Sequence, residues 1–262
     1  MWFTADLRIV FQAKLSVYKH MNKGCIIIPC FNEQGNIARV IEETAHYAPQ
    51  FHIVVVNDAS EDQTADLAQK TGKAVVLNLA TNLGVGGAVQ TGLKYAVRSK
   101  MNCAVKVDGD GQHPPAAIDD VLLPLLDDSA DIVIGSRFLT ENTGFRSSIY
   151  RRLGIMYLQL LSFLLTGQRF TDPTSGFRAY NHRALQFMSE HYPTFDYPEP
   201  EELILASKNN LRIREVPVVM RDRIAGRSSI SAGFSIYFML KVTLAMLFIF
   251  IRQPETRTDK QC

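Results

Sequence analysis

From Gly24 onward, short apolar runs alternate with segments whose apolar residues recur every three or four positions. Cys25–Pro29 (CIIIP), His52–Val56 (HIVVV), Ala74–Leu79, Ala104–Val107 and Asp131–Ile134 read as strands. They are continuous and rich in β-branched residues rather than alternating, as expected of strands covered on both faces. Between them, Asn36–Tyr47, Glu61–Lys70, Gly86–Arg98 and Ala116–Leu126 have helical spacing, the second with acids in its first turn. This alternation predicts an α/β fold, a mostly parallel sheet with helices on both faces. Ligands of such sheets bind beyond the carboxyl ends of the strands.

Those ends share a polar character. CIIIP runs into Cys-Phe-Asn-Glu33, HIVVV into Asn57-Asp58-Ala-Ser60-Glu61-Asp62, AVKV into Asp108-Gly109-Asp110-Gly111-Gln112-His113, and DIVIG into Ser136-Arg137-Phe138. Three carboxylate-bearing loops and one arginine therefore converge on one sheet edge. Asp108 and Asp110, one glycine apart, suit a hard divalent cation such as Mg²⁺ or Mn²⁺, which takes one or two carboxylates plus substrate phosphates. Gln112 adds a neutral oxygen, and His113 a residue to orient it or to ligate a softer ion. The loop is expected to be exposed; the same letters are also ordinary turn chemistry. Asp58 is not needed to cap the helix after it, a task open to Ser60 or Asp62, and so suits a nucleobase or ribose contact. Gly84, Gly86, Gly87 and Gly92 lack the spacing of a dinucleotide fingerprint and read as a tight loop and close helix packing.

Composition sharpens this. The 262 residues carry 28 Lys+Arg and 26 Asp+Glu, with 47% hydrophobic residues, which excludes a disordered, collagen-like or disulfide-scaffold chain. Residues 24–136 hold 7 basic against 14 acidic residues, and residues 137–262 hold 17 against 11. An acidic half joined to a basic half argues against nucleic acid as a partner and suits a site with a cation on one side and phosphates on the other. Cys25, Cys30, Cys103 and Cys262 form no CxxC pair and no zinc spacing, so reduced thiols in a cytoplasmic setting are expected. No secretory leader is recognisable.

Taken in order and spacing, IIIPCFNE, VVNDASEDQT, VDGDGQHPP and IGSRF resemble family 2 glycosyltransferases of the GT-A fold, in particular the dolichyl- or polyprenyl-phosphate mannosyl- or glucosyltransferase branch. Asp172–Tyr180 (DPTSGFRAY), Glu215–Val218 and Arg223–Ser229 extend the resemblance over roughly residues 23–232. It implies inverting transfer from a UDP- or GDP-sugar. It places Pro29, Phe31 and Glu33 in the first nucleotide-binding loop and makes Asp58 a base or ribose contact, with Asn57 replacing an acid. Asp108, Gly109 and Asp110 match the DxD metal motif, Gln112 a metal-side glutamine, Arg137 a phosphate-binding arginine, and Arg223 a basic residue on a loop closing over the diphosphate. Where relatives often carry Lys after the serine of that loop, this chain has Ser229, with Arg227 nearby.

The acceptor is expected to be a polyprenyl phosphate or a lipid-linked glycan. A sugar hydroxyl would require a carboxylate base, for which Glu202, Glu201 and Asp172 are candidates; a lipid phosphate is already anionic and needs none. Two segments suggest a membrane surface or a membrane-protein partner. Phe234–Ile251 has 18 residues with one charge, Lys241, about 27 Å as a helix and borderline for crossing a bilayer. Ser148–Thr166 opens with Arg151-Arg152 before GIMYLQLLSFLLT, as in a helix lying at the headgroup boundary. Peripheral or monotopic attachment at the cytoplasmic face is expected. The domain reading is an extension at 1–22, a GT-A domain at 23–232, a hydrophobic, candidate membrane-associated helix at 233–252 and a polar tail at 253–262. Rival readings are a nucleotidyltransferase, whose glycine-rich loop with Lys or Arg is missing from CFNEQGN, and a nucleotide-sugar-binding subunit without turnover.

Overall fold

The structure is a computed structural model and describes residues 23–139, 149–193, 196–221 and 235–252. Its centre is a seven-stranded sheet built from β1 (Gly24–Cys30), β2 (His52–Asn57), β3 (Ala74–Asn78), β4 (Cys103–Lys106), β5 (Ile132–Ser136), β6 (Arg178–Tyr180) and β7 (Ile213–Pro217). The spatial order is β3-β2-β1-β4-β6-β5-β7. Strands β3, β2, β1 and β4 run parallel. The three-residue β6 lies antiparallel to both β4 and β5, and β7 pairs parallel with β5. The sheet is thus mostly parallel, as expected; the reversal at β6 was not, because three residues are too few to carry a period.

Alternate side chains of the central strands feed two cores, as the two-residue strand period requires. Ile26, Ile28, Ile53, Val55 and Val105 meet Ile37, Val40 and Ile41 of helix α1 (Ile37–Tyr47) on one face. Cys25, Ile27, Val54 and Val56 meet Ala88, Val89, Leu93 and Ala96 of α3 (Gly84–Arg98) on the other. A Cβ on Gly92 would lie 2.3 Å from Ile27 Cγ2, so the expected close packing of that helix rests on Gly92. Helix α2 (Thr64–Lys70) starts three residues later than its pattern suggests, because Asp62 Oδ1 accepts the Thr64 amide at 2.9 Å. The Ala116–Leu126 segment divides into a 3-10 turn, Pro115–Ala117, and α4 (Ile118–Leu126).

The C-terminal part adds α5 (Ile149–Thr166), α6 (His182–His191), α7 (Glu199–Lys208) and α8 (Ser235–Ile251). Leu158 of α5, Ile204 of α7 and Val242 and Met246 of α8 form a separate small core, and the Tyr157 hydroxyl lies 3.0 Å from Thr243 Oγ1. The outward faces of α5 and α8 are apolar and bare: Leu153, Met156, Leu160 and Leu164 on the first, Leu240, Leu244, Phe248 and Ile251 on the second. Among the described residues, no helix is long and apolar enough to cross a membrane.

Candidate active site

The carboxyl ends of β1 and β4 flank the point where the chain order departs in opposite directions, which is where open α/β sheets form their crevice. On the β1 side the loop after Cys30 is laced to the loop after β2. The Asn32 amide donates to Ser60 Oγ at 3.0 Å, Asn32 Oδ1 accepts the Glu61 amide at 2.9 Å, and the Glu33 amide donates to Thr64 Oγ1 at 2.8 Å. The Gln34 amide donates to Asp62 Oδ2 at 3.2 Å. These bonds occupy the polar groups of both loops and leave Phe31 projecting, 45% exposed. Glu33 is turned to its own helix, its Oε2 accepting Asn36 Nδ2 at 2.7 Å. Asp62 therefore braces the loops, as its capping role suggests.

Asp58 is almost fully buried. It does not cap the helix after it, but its Oδ1 accepts the Leu83 amide at 2.7 Å, at the entry to α3. That structural task lay outside the sequence reading, because the two residues are 25 apart. Burial pushes the Asp58 carboxyl above the ordinary range. Asn57 is spent on Asn78 Oδ1 and the Ser60 amide.

The loop after β4 comes against β1. The Gly109 amide donates to Pro29 O at 3.3 Å, and a Cβ on Gly109 would meet that oxygen at 3.1 Å and Cys30 Cβ at 3.0 Å. Gly111 has φ +78, and a Cβ there would sit 2.5 Å from Arg39 Nη2. Both glycines are thus fixed by their surroundings. Asp110 Oδ1 accepts the Gln112 amide at 3.0 Å, an Asx turn. Contrary to expectation this part of the loop is not exposed: Asp110 is 6% accessible, and two residues on, Gln112 O accepts the Arg221 amide at 2.9 Å. Asp108 is more open, its side chain 34% accessible.

His113 serves Asp108 rather than Gln112. Its Nδ1 accepts the Asp108 amide at 3.0 Å, which assigns the ring proton to Nε2, and Nε2 stands 3.5 Å from Asp108 Oδ2. The ring stacks on Phe177 with centroids 5.2 Å apart, and burial lowers its pKa and favours the neutral form. Asp108 and Asp110 act against that lowering, and Lys106 and Arg137 add to it.

Arg137, at the end of β5, makes a two-pronged pair with buried Asp172, Nε to Oδ2 and Nη2 to Oδ1, each at 2.6 Å, and Nη2 also reaches Thr174 Oγ1 at 2.7 Å. Glu215 in turn accepts the amides of Thr171 and Asp172, both at 2.7 Å; burial raises its pKa. Glu202, a candidate base, lies in the interior. It is completely buried, its Oε2 accepting Tyr192 Oη at 3.1 Å and lying 3.0 Å from Arg178 Nη1. Glu201 is also buried, and Asp172 is held by Arg137. Arg223 lies outside the described residues.

Sequence reasoning missed a group beneath Asp108. Lys106 and Arg178 are both fully buried, and Lys106 Nζ lies 2.6 Å from Glu199 Oε1. Burial alone would lower the Lys106 pKa, but Glu199 and Asp108 outweigh it and raise it; the same pairing lowers that of Glu199 against burial. A Cβ on Gly176 would come within 3.1 Å of both Lys106 Nζ and Asp108 Oδ2. The available signal was a charged residue inside each of two apolar runs, AVKV and GFRAY.

Comparison with known proteins gives the family and the fold. The family model described as glycosyl transferase family 2 matches residues 25–188. The chain is 32% identical over 235 residues to the UDP-N-acetylglucosamine–dolichyl-phosphate N-acetylglucosaminyltransferase of Methanococcus voltae, covering 82% of this chain and 93% of that one. It is 31% identical over 225 residues to the polyprenol monophosphomannose synthase of Mycolicibacterium smegmatis, covering 83% and 84%. Among solved structures, glucosyl-3-phosphoglycerate synthase of Mycobacterium tuberculosis, in complex with Mn²⁺, UDP and phosphoglyceric acid, superposes with TM-score 0.67 at 19% identity, covering 92% of this chain and 82% of that one.

Proposed function

The chain belongs to glycosyl transferase family 2 and is a glycosyltransferase, and from that premise we propose that it carries out inverting, metal-dependent transfer of a sugar from a nucleoside diphosphate, UDP or GDP, to a polyprenyl phosphate. One observation carries the metal part of this reading. Asp108 Oδ1 is buried and receives no hydrogen bond, and the Lys106 ammonium stands off from it at 4.0 Å, a costly state for a carboxylate oxygen unless a further cation serves it. Asp108 and Asp110, with Gln112, would hold Mg²⁺ or Mn²⁺. Among the described residues no group of three or more His, Cys, Asp or Glu is arranged to hold a metal ion, which fits an ion that completes its shell with substrate phosphates and water. When bound, the ion supplies charge stabilisation to the departing diphosphate. Phe31 offers a face for the base, with Pro29, Glu33 and Asp58 framing the nucleotide, and Arg223, outside the described residues, keeps the diphosphate-binding role that the family resemblance implies.

The pairing of Asp172, Glu199 and Glu202 supports a phosphate acceptor over a hydroxyl. Asp172 is committed to Arg137, Glu199 to Lys106 and Glu202 to Arg178 and Tyr192. An acceptor phosphate arrives anionic: its oxygen forms the new bond to the anomeric carbon, the bond to the diphosphate breaks, and the electron pair leaves with the nucleoside diphosphate. No proton has to be removed. The M. voltae and M. smegmatis relatives are named for dolichyl phosphate and polyprenol monophosphomannose. The bare apolar faces of α5 and α8, with exposed Arg152 and Arg252 at their ends, suit monotopic attachment at the cytoplasmic face of a membrane, where such an acceptor resides. The test is transfer of labelled sugar from a panel of UDP- and GDP-sugars to polyprenyl phosphate, with Mg²⁺ or Mn²⁺ and with chelator. Metal-dependent labelling of the lipid is expected. Nucleotide binding with no turnover on any donor would instead mark a nucleotide-sugar-binding subunit.

A further inference from the structure

Lys106 on β4 and Arg178 on β6 are register partners, so their side chains leave the sheet on one face, toward the first turn of α7. Arg178 is held there: Nε donates to Ser175 O at 2.9 Å, Nη2 to Pro173 O at 3.3 Å and Glu199 O at 2.9 Å, and Nη1 lies 3.0 Å from Glu202 Oε2 as an ion pair without a hydrogen bond. The bond to Glu199 O fixes that residue's backbone. Lys106 Nζ, by contrast, has two carboxylates within reach, Glu199 Oε1 at 2.6 Å and Asp108 Oδ1 at 4.0 Å, and it binds the first. The second is the oxygen left without a donor. Closing that gap to a charge-assisted bond of about 2.8 Å takes only a small swing of a four-carbon side chain.

We infer that Glu199 is a positioning residue that holds the Lys106 ammonium away from Asp108 and so keeps Asp108 Oδ1 open for the divalent cation. The inference rests on the metal-dependent transfer proposed above and adds a residue 91 positions along the chain from Asp108, on the helix that carries the small α5–α7–α8 core. Without the Glu199 charge, Lys106 turns to Asp108 and competes with the metal. Without Lys106, that competitor is gone and Glu199 is dispensable for metal binding. A purely structural pair predicts the opposite pattern, in which losing either partner does similar harm.

The experiment is a titration of the full chain with Mn²⁺ alone, reading free Mn²⁺ by electron paramagnetic resonance, with thermal melts to confirm folding. Glu199→Gln should weaken Mn²⁺ binding about tenfold, the equivalent of about 1.4 kcal/mol. Lys106→Met should bind as tightly as the unaltered chain or tighter. The double variant Lys106→Met/Glu199→Gln should return to within about threefold of it, and replacing a buried pair by apolar and neutral groups is compatible with folding. Unchanged binding in Glu199→Gln, a double variant as weak as that single one, or weakened binding in folded Lys106→Met would each overturn the inference. If Glu199→Gln does not fold, Lys106→Met decides alone. An unaltered chain that binds no Mn²⁺ overturns the metal reading and this inference with it, whereas binding with the wrong variant pattern overturns this inference only.

Discussion

The two sides of the crevice are held by different physics. On the β1–β2 side, short loops are tied to one another by neutral or singly charged hydrogen bonds, such as Asn32 to Ser60 and Glu33 to Thr64, and every partner stands close to a strand end. On the β5–β6–α7 side, the same edge is held by ion pairs with little or no exposure: Arg137 with Asp172, Lys106 with Glu199, Arg178 with Glu202. Loops bonded through their backbones can present an aromatic face and carboxylates without losing their shape. Buried charges are costly to strand, so the second side is rigid but intolerant of single changes. The comparison therefore predicts that variants on the second side act first on stability, and variants on the first act on ligands.

The sharpest way to break that division is Arg137→Met. It strands the Asp172 carboxylate, which has no exposure, and should cost about 3–5 kcal/mol of folding stability, read as a lowered urea midpoint. Arg137→Met/Asp172→Leu should recover much of the loss. A stability close to that of the unaltered chain in the single variant would mean that Arg137 is not structurally committed. Next in size is Asp110→Asn. The asparagine Oδ1 can still accept the Gln112 amide, so the melting temperature should hold, while metal-dependent transfer should fall about a hundredfold or more, the scale of losing one charge-stabilising contact. A large loss of stability with transfer per folded molecule retained would reverse the assignment.

These two sides were not equally legible in the sequence. The first side was readable because each piece is local: CIIIP and HIVVV are continuous apolar runs, and their polar residues follow within a few positions. Its errors were of detail. Asp58 was correctly placed at a strand end, but the amide it serves, Leu83, belongs to another loop. Asp110 was expected to be exposed, yet it is buried, and its loop is bonded to Arg221, more than a hundred residues later. The second side escaped because its logic is pairing at a distance. Lys106 and Glu199 are 93 residues apart, and Arg137 and Asp172 are 35 apart. Glu202 read as a candidate base, and only the position of Arg178 on the short β6 shows what it balances.

Acid should also separate the two sides. Asp131, at the foot of β5, is buried and accepts from the Arg212 amide and from Asn181 Nδ2, both at 2.8 Å. Burial would raise its pKa, but Arg212 and Asn181 outweigh that and bring it down to about 2. A carboxyl depressed in the folded state contributes stability above its unfolded pKa, near 4, and loses it as pH falls toward 2. The contribution at neutral pH is about 2 kcal/mol. Urea midpoints should therefore fall between about pH 4 and pH 2, and Asp131→Asn should flatten that part of the profile. An unchanged slope in the variant would remove Asp131 from the account.

The smallest expected effect falls on the first side, at Phe31. Its ring is 45% exposed and the loop that carries it is fixed by backbone bonds of its neighbours, so Phe31→Ala should leave the melting temperature nearly unchanged. If the ring is the platform for the base, removing it costs the stacking contribution, about 1–3 kcal/mol on the scale of base–aromatic contacts, or roughly fivefold in nucleotide affinity at the lower end. The measurement is the thermal shift produced by UDP and by GDP with Mn²⁺, since a ligand that binds only the folded chain stabilises it by mass action. The shift should shrink for whichever nucleotide the unaltered chain prefers, and Phe31→Tyr should restore it. A full shift in the alanine variant would show that the base lies elsewhere along the edge, and would weaken the claim that this side is built to present ligand-binding groups rather than only to close the fold.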